Sequence, residues 1–336
     1  MEKRILGKTG YEVSVIGLGG IPIQNVDQNT AISIVEEAYK QGINFIDTAR
    51  GYNDSEKLLG QALEVVGRDK FYIATKSMQR TYDGVLEELE ISMKNLKVDY
   101  IDLFQLHNVS KEADMETIFS ENGALKAIKE MKEKGIIKEI GVTSHSVDLL
   151  DKLVDTNEFS TIQFPYNIVE NQAEEVFKKA KEKNIGILIM KPLAGGAIPK
   201  GELCLRYIME NENITLAIPG MDTIEQVREN AGVGNNPRPL TDEERKELQG
   251  YVEELGTQFC RRCGYCAPCS IGIDIPANFL MEGYYTRYDL KEWALNRYNG
   301  MEVNAKDCIQ CGDCEPRCPY DLPIIEMLKN VAEVLG

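Results

Sequence analysis

The sequence predicts an α/β chain in two parts. Residues 1–240 read as a (β/α)8 barrel of parallel strands, and residues 241–336 as a small α-helical domain rich in cysteine. Three observations predict this. Short apolar runs alternate with amphipathic stretches of helix length through the first part, the pattern of strands buried on both faces. Helix-sized connections impose parallel pairing through right-handed crossovers. Eight such units in about 230 residues match a closed (β/α)8 barrel, which takes about 250. Beyond residue 259, finally, eight of the nine cysteines fall into two runs.

The elements follow in order. Lys3–Leu6 and Val13–Ile16, around Lys8-Thr9-Gly10, suit a hairpin closing the barrel floor. The strand runs are 13–19, 44–48, 71–76, 101–107, 139–144, 161–165, 185–191 and 214–219. Amphipathic helices are expected at 30–40, 55–66, 84–97, 123–134, 173–183 and 223–231. An open doubly wound sheet would need G-x-G-x-x-G at the first helix. Gly17-Leu18-Gly19-Gly20-Ile21-Pro22 stands there instead, with a proline and no third glycine in register.

The formal net charge is −16, from 38 basic and 54 acidic residues. Phosphate backbones and anionic membranes need a basic face, so nucleic acid and membrane are not expected as partners. No apolar run reaches the 18–20 residues that cross a bilayer, and residues 1–7 lead into no signal-peptide core, so a cytoplasmic protein is expected. A reduced compartment and a chain of this size leave disulfides unnecessary. The two cysteine runs therefore point to metal. Cys204 stands apart and reads as a small buried apolar residue on a helix.

Chemistry in such a barrel collects at the C-terminal ends of the strands. Asp47 ends the second, with Tyr52 in the loop behind it; Lys76 ends the third and His107 the fourth. Singly, each has an ordinary reading as a turn cap, a packed ring, a surface cation and a core histidine. Together they are a coherent acid. A tyrosine hydroxyl donates poorly at neutral pH; a neighbouring ammonium favours its phenolate. Asp47 can hold Lys76 charged, and His107 can hydrogen-bond a carbonyl oxygen from another side. That suits protonation of an oxygen that turns negative as hydride adds to carbon.

Phe45-Ile46-Asp47-Thr48-Ala49-Arg50-Gly51-Tyr52, Ser55-Glu56-Lys57-Leu58-Leu59-Gly60, Ile73-Ala74-Thr75-Lys76 and Leu103-Phe104-Gln105-Leu106-His107 resemble the motifs of the aldo-keto reductase family. The likeness runs from about Gly7 to Asn230. It implies a (β/α)8 barrel that reduces a small carbonyl, or oxidises an alcohol, with NADP(H) or NAD(H). Tyr52 would be the proton donor, Lys76 its activating cation, Asp47 the partner of Lys76, and His107 the residue orienting the carbonyl. The implied nucleotide site takes in Gly20 and Ile21, then Thr143, Ser144 and Gln163 at the nicotinamide amide. Met190 stands where the family has its stacking aromatic, before Lys191 and Leu193. Glu229 and Asn230 fall at the adenine. Gly220, Met221 and Gln226 replace the lysine, serine and arginine that hold the 2′-phosphate of NADP, which removes charge-assisted hydrogen bonds. Arg228 reads either as a substitute cation or as part of a solvated helix face.

Cys308-x2-Cys311-x2-Cys314-x3-Cys318-Pro319 matches the bacterial ferredoxin run. Cys260, Cys263, Cys266 and Cys269 are spaced one residue shorter at the end and are followed by Ser270. A zinc ribbon would instead pair two C-x2-C knuckles across 15–20 residues. Two 4Fe–4S clusters use eight thiolates. By the ferredoxin rule the sets are Cys260, Cys263, Cys266 with Cys318, and Cys308, Cys311, Cys314 with Cys269, the last assignment left open by the shorter spacing. The whole chain resembles a bacterial and archaeal branch of aldo-keto reductases with a C-terminal ferredoxin-like domain. Such a domain implies electron exchange with a redox protein, and the aromatic residues between the runs suit either a docking face or a small core. Hydride moves two electrons and a cluster one, a coupling that a flavin commonly mediates. An electron-transfer or redox-sensing protein on a barrel scaffold, and a flavin-using reductase, are the two alternatives.

Overall fold

The computed structural model describes residues 1–255 and 258–336. They form two compact units: Met1–Leu193 with Lys200–Thr241, and Ala194–Pro199 with Asp242–Gly336.

The first unit opens with an antiparallel hairpin of β1 (Lys3–Ile5) and β2 (Glu12–Ser14). Then come β3 (Leu18–Gly19), β4 (Phe45–Asp47), β5 (Tyr72–Ser77), β6 (Ile101–Leu106), β7 (Ile137–Thr143), β8 (Thr161–Pro165), β9 (Gly186–Met190) and β10 (Leu216–Ala217). From β3 to β10 each strand pairs in parallel with the next. Parallel bridges Ile16↔Ala217 and Gly19↔Gly220 join the first to the last, so the eight-stranded sheet curls into a barrel. That seam requires close backbone approach. A Cβ at Gly19 would lie 2.7 Å from the carbonyl oxygens of Ile218 and Pro219.

The crossover helices are α1 (Gln28–Lys40), α2 (Ser55–Val66), α3 (Tyr82–Leu96), α4 (Glu112–Phe119), α5 (Ala124–Glu133), α6 (Val147–Asp155), α7 (Glu174–Glu182), α8 (Gly201–Met209) and α9 (Ile224–Asn235). Their apolar stripes pack on the outward faces of the strands in one large core. A separate inner core joins Leu6 and Val13 of the hairpin region to Phe45, Ala74, Leu103, Leu188 and Leu216. The hairpin thus plugs the barrel's N-terminal end. Strand side chains alternate, so Asp47, Lys76, Gln105 and Met190, each two residues beyond an inner-core position, fall on that same inner face nearer the C-terminal end.

The expected first strand, 13–19, divides in two. Val15 N–H donates to Glu2 O at 3.1 Å, while Val15 O accepts from Ala217 N–H at 2.9 Å. One apolar run therefore serves the hairpin first and the barrel second. Between the expected strand 101–107 and the expected helix 123–134 lies α4, whose single fully buried residue is Ile118.

The second unit holds α10 (Asp242–Leu255), α11 (Ile275–Thr286), α12 (Lys291–Asn299) and α13 (Ile324–Leu335). Tyr284, Trp293 and Tyr298 are buried in it. Tyr284 meets Trp293 edge to face, with ring centroids 4.8 Å apart. These aromatic residues between the cysteine runs form a small core. Among the described residues no helix is long and apolar enough to cross a membrane.

Candidate functional site

Asp47 ends β4 and Lys76 is the next-to-last residue of the adjacent parallel strand β5, with Asp47 opposite Ala74 in the register. Lys76 Nζ donates to Asp47 Oδ2 at 2.6 Å and to Thr48 O at 2.7 Å. Both side chains are sealed, at 3% and 1% exposure. Burial pushes the Asp47 carboxyl up and the Lys76 ammonium down, and their mutual contact opposes both shifts. Glu56, itself buried, adds a second negative field at Lys76.

Tyr52 is half-buried in the turn after β4. That turn is pinned at both ends. Arg50 N–H donates to Lys76 O at 2.9 Å, and Ser55 Oγ donates to Gly20 O at 2.7 Å. Glu56 accepts from Thr75 Oγ1 at 2.7 Å and pairs with Arg50 at 3.3 Å. Held in this way, the Tyr52 ring lies 5.1 Å from Lys76 Nζ at its centroid. The His107 ring meets it edge to face, 5.8 Å between centroids at 85°. A sealed ion pair therefore sits beneath two half-buried rings that a molecule in the barrel mouth can reach.

Gln105 lies within the Leu103–His107 motif and has no place among the site residues the sequence points to. It is fully buried and donates from Nε2 to Asp47 Oδ1 at 3.3 Å and to Gln163 Oε1 at 2.9 Å. The amide links the ion pair to β8. The available signal was its position two residues before His107, hence on the same strand face.

The residues expected at the nucleotide ring the same end of the strands. Thr143 ends β7 and Ser144 follows it; Thr143 Oγ1 accepts from Asn108 N–H at 2.7 Å, and Ser144 N–H donates to Gln163 O at 3.1 Å. Met190 ends β9 and packs against the inner core. Lys191 follows it with a φ of 54°. Gly20 is buried and Ile21 half-buried. Gly220 faces Pro22, and Met221 is fully buried. Gln226 Oε1 accepts from Asp222 N–H at 2.8 Å, so it is committed to its own loop. Leu193 and Asn230 both border Gly201. Glu229 is exposed on α9. Arg228 donates to Glu37 Oε1 at 2.7 Å, so it is engaged with a carboxylate of α1.

The aldo/keto reductase family matches residues 15–202 of this chain, more than half of it. The chain belongs to the aldo/keto reductase family. As a reductase of that family it is similar to aldo-keto reductase YhdN of Bacillus subtilis (strain 168), with 32% identity over 233 residues, covering 64% of this chain and 68% of that protein. It is also similar to the NADH-specific methylglyoxal reductase of Escherichia coli (strain K12), with 28% identity over 265 residues, 67% of this chain and 79% of the relative. The holo form of aldo-keto reductase AKR11C1 from Bacillus halodurans superposes with a TM-score of 0.64 at 27% identity, over 75% of this chain and 96% of that one. The reductase carries in addition a 4Fe-4S dicluster domain, matched over residues 259–323.

In that domain none of the eight cysteines of the two runs is paired in a disulfide. Burial pushes the Cys266 thiol up to about 12, with Cys260 and Cys263 close enough to add to the shift. It also raises Cys263 and Cys314; Cys318 adds to the first, and Cys308 and Cys311 to the second. Cys269, Cys308, Cys311 and Cys314 line one cavity. Among the described residues no three Cys, His, Asp or Glu side chains converge on a position for a single metal ion. Four thiols around a wider space suit a multi-iron cluster, whose positive charge stabilises the thiolates. Cys204, on α8, is buried, and burial alone pushes its thiol up to about 12.

Proposed function

We propose that the barrel reduces a small carbonyl compound with a nicotinamide cofactor, with Tyr52 as proton donor. The observation that carries this reading is the sealed Asp47–Lys76 pair directly beneath the half-buried Tyr52 and His107 rings. When bound, the nicotinamide would supply both electrons of the reduction as a hydride, and the iron–sulfur clusters would carry electrons singly, outside that step. The chain's own residues supply the proton. The Lys76 ammonium favours the Tyr52 phenolate left behind when the hydroxyl gives up its proton. Asp47 and Thr48 O fix that ammonium, so it needs no reorganisation as charge develops. His107 orients the carbonyl oxygen toward the Tyr52 hydroxyl.

Gln163, Thr143, Ser144, Met190, Lys191 and Leu193 would hold the nicotinamide half, with Gly20 and Ile21 beside them. Glu229 and Asn230 would hold the adenine. NADH is the preferred form. Gly220, Met221 and Gln226 carry no charge, and the nearby Arg228 is already neutralised by Glu37. The sets Cys260, Cys263, Cys266, Cys318 and Cys308, Cys311, Cys314, Cys269 would each hold one 4Fe–4S cluster, exchanging electrons with a redox protein. The cavity shared by Cys269 with the second run supports its place there despite the shorter spacing.

The test is steady-state reduction of small aldehydes under anaerobic conditions. Tyr52→Phe lowers kcat/KM by about 10²–10⁴, the range for a lost general acid. A rate unchanged by that substitution would remove Tyr52 from the chemistry.

A further inference from the structure

The two cysteine runs end on different residues. Pro319 follows Cys318, whereas Ser270 follows Cys269. Ser270 Oγ lies 3.3 Å from Cys311 Sγ, across 41 residues of sequence. Cys311 is the exposed thiol of the eight, and Ser270 lines the same cavity as Cys269, Cys308 and Cys314. A thiolate on iron has no proton to give, so in the loaded protein the hydroxyl donates and the sulfur accepts.

Hydrogen bonds to ligand sulfurs and solvent exposure are two of the factors that set a cluster's reduction potential. Adding an electron makes the sulfur more negative. A donor already aimed at it then binds more strongly, which favours the reduced state. We propose that Ser270 raises the reduction potential of the cluster held by Cys308, Cys311, Cys314 and Cys269, by donating its hydroxyl hydrogen to Cys311 Sγ. This rests on the ligand sets proposed above. The corresponding position after the other run is Pro319, which has neither a hydroxyl nor an N–H to donate. The bond therefore separates two clusters that the spacing of their cysteines makes nearly alike. Ser270 acts through Cys311 and is a positioning residue.

The experiment is a redox titration of the full-length, anaerobically purified protein, followed by electron paramagnetic resonance, on wild type, S270A and S270T. Iron is counted first. Wild type should contain about eight iron atoms per chain, two 4Fe–4S clusters; half that content overturns the ligand sets and the proposal with them. With full iron, S270A should move one midpoint potential in the negative direction and leave the other in place, and S270T should restore it. Two unchanged potentials in a fully loaded S270A overturn the proposal. Ser270 is exposed, so its truncation costs the fold little. Should S270A lose iron, S270G carries the same expectation. Loss of iron from both, with S270T retaining it, assigns the hydroxyl a structural role and overturns tuning.

Discussion

Replacing Lys76 by methionine keeps most of the side-chain volume and removes the charge beneath Tyr52. Lys76 Nζ stands 5.1 Å from the Tyr52 ring centroid. A unit charge at that distance, in an effective dielectric of about 20, interacts with a phenolate by about 3 kcal/mol. If that interaction is absent while the hydroxyl holds its proton and present once the proton has left, its loss slows the proton-donating step about 200-fold. Stability changes as well. Breaking a buried ion pair costs about 3–5 kcal/mol, because Asp47 is left charged and sealed. Burial raises the Asp47 carboxyl, so without its cation the folded protein binds that proton more tightly than the unfolded chain. Unfolding free energy of the variant then falls as pH rises from the unfolded carboxyl value of about 3.9 toward the folded value. The assay pairs kcat/KM for a small aldehyde with thermal melts across pH, on wild type and K76M. A variant within a few-fold of wild-type activity, with no recovery of stability toward acid pH, would refute the role given to the pair.

Three further outcomes are expected. Gln105→Leu removes one of the amide donors of Asp47, which keeps Gln163 and Lys76, and takes the Gln105 donor from Gln163 Oε1 in the interior, a loss of about 1–3 kcal/mol, read as a lower denaturation midpoint. Glu37→Gln releases Arg228 and lowers KM for NADPH while leaving KM for NADH near its original value; kinetics with both nucleotides check this. Cys269→Ala reduces iron from about eight to about four atoms per chain by removing one ligand of the second set, whereas Cys204→Ala leaves the content unchanged.

Much of the barrel is legible because each strand is buried on both faces and reads as a continuous apolar run between amphipathic helices. The same property hides the division of residues 13–19, since an apolar run does not say which neighbour each half bonds. Helix α4 escapes because its one fully buried residue, Ile118, sets no period. Asp47, Lys76 and His107 draw notice as polar groups closing apolar strands. Gln105 carries no charge or nucleophile, and its importance arises from two bonds to residues 58 positions away. The pairings of Arg228 with Glu37 and of Ser270 with Cys311 are equally non-local. Spacing reveals that cysteines can share a cluster, but not which outer groups touch their sulfurs.

The central claim is that the barrel delivers a proton from Tyr52 to a carbonyl oxygen as nicotinamide gives up hydride. The most direct measurement mixes anaerobic wild type and Tyr52→Phe with NADH and a small aldehyde, following nucleotide consumption and alcohol formation together. The account predicts equal amounts of NADH consumed and alcohol formed in wild type, and a rate lower by about 10²–10⁴ in the variant. Equal rates in the two proteins, or NADH oxidation with no alcohol formed, would contradict it.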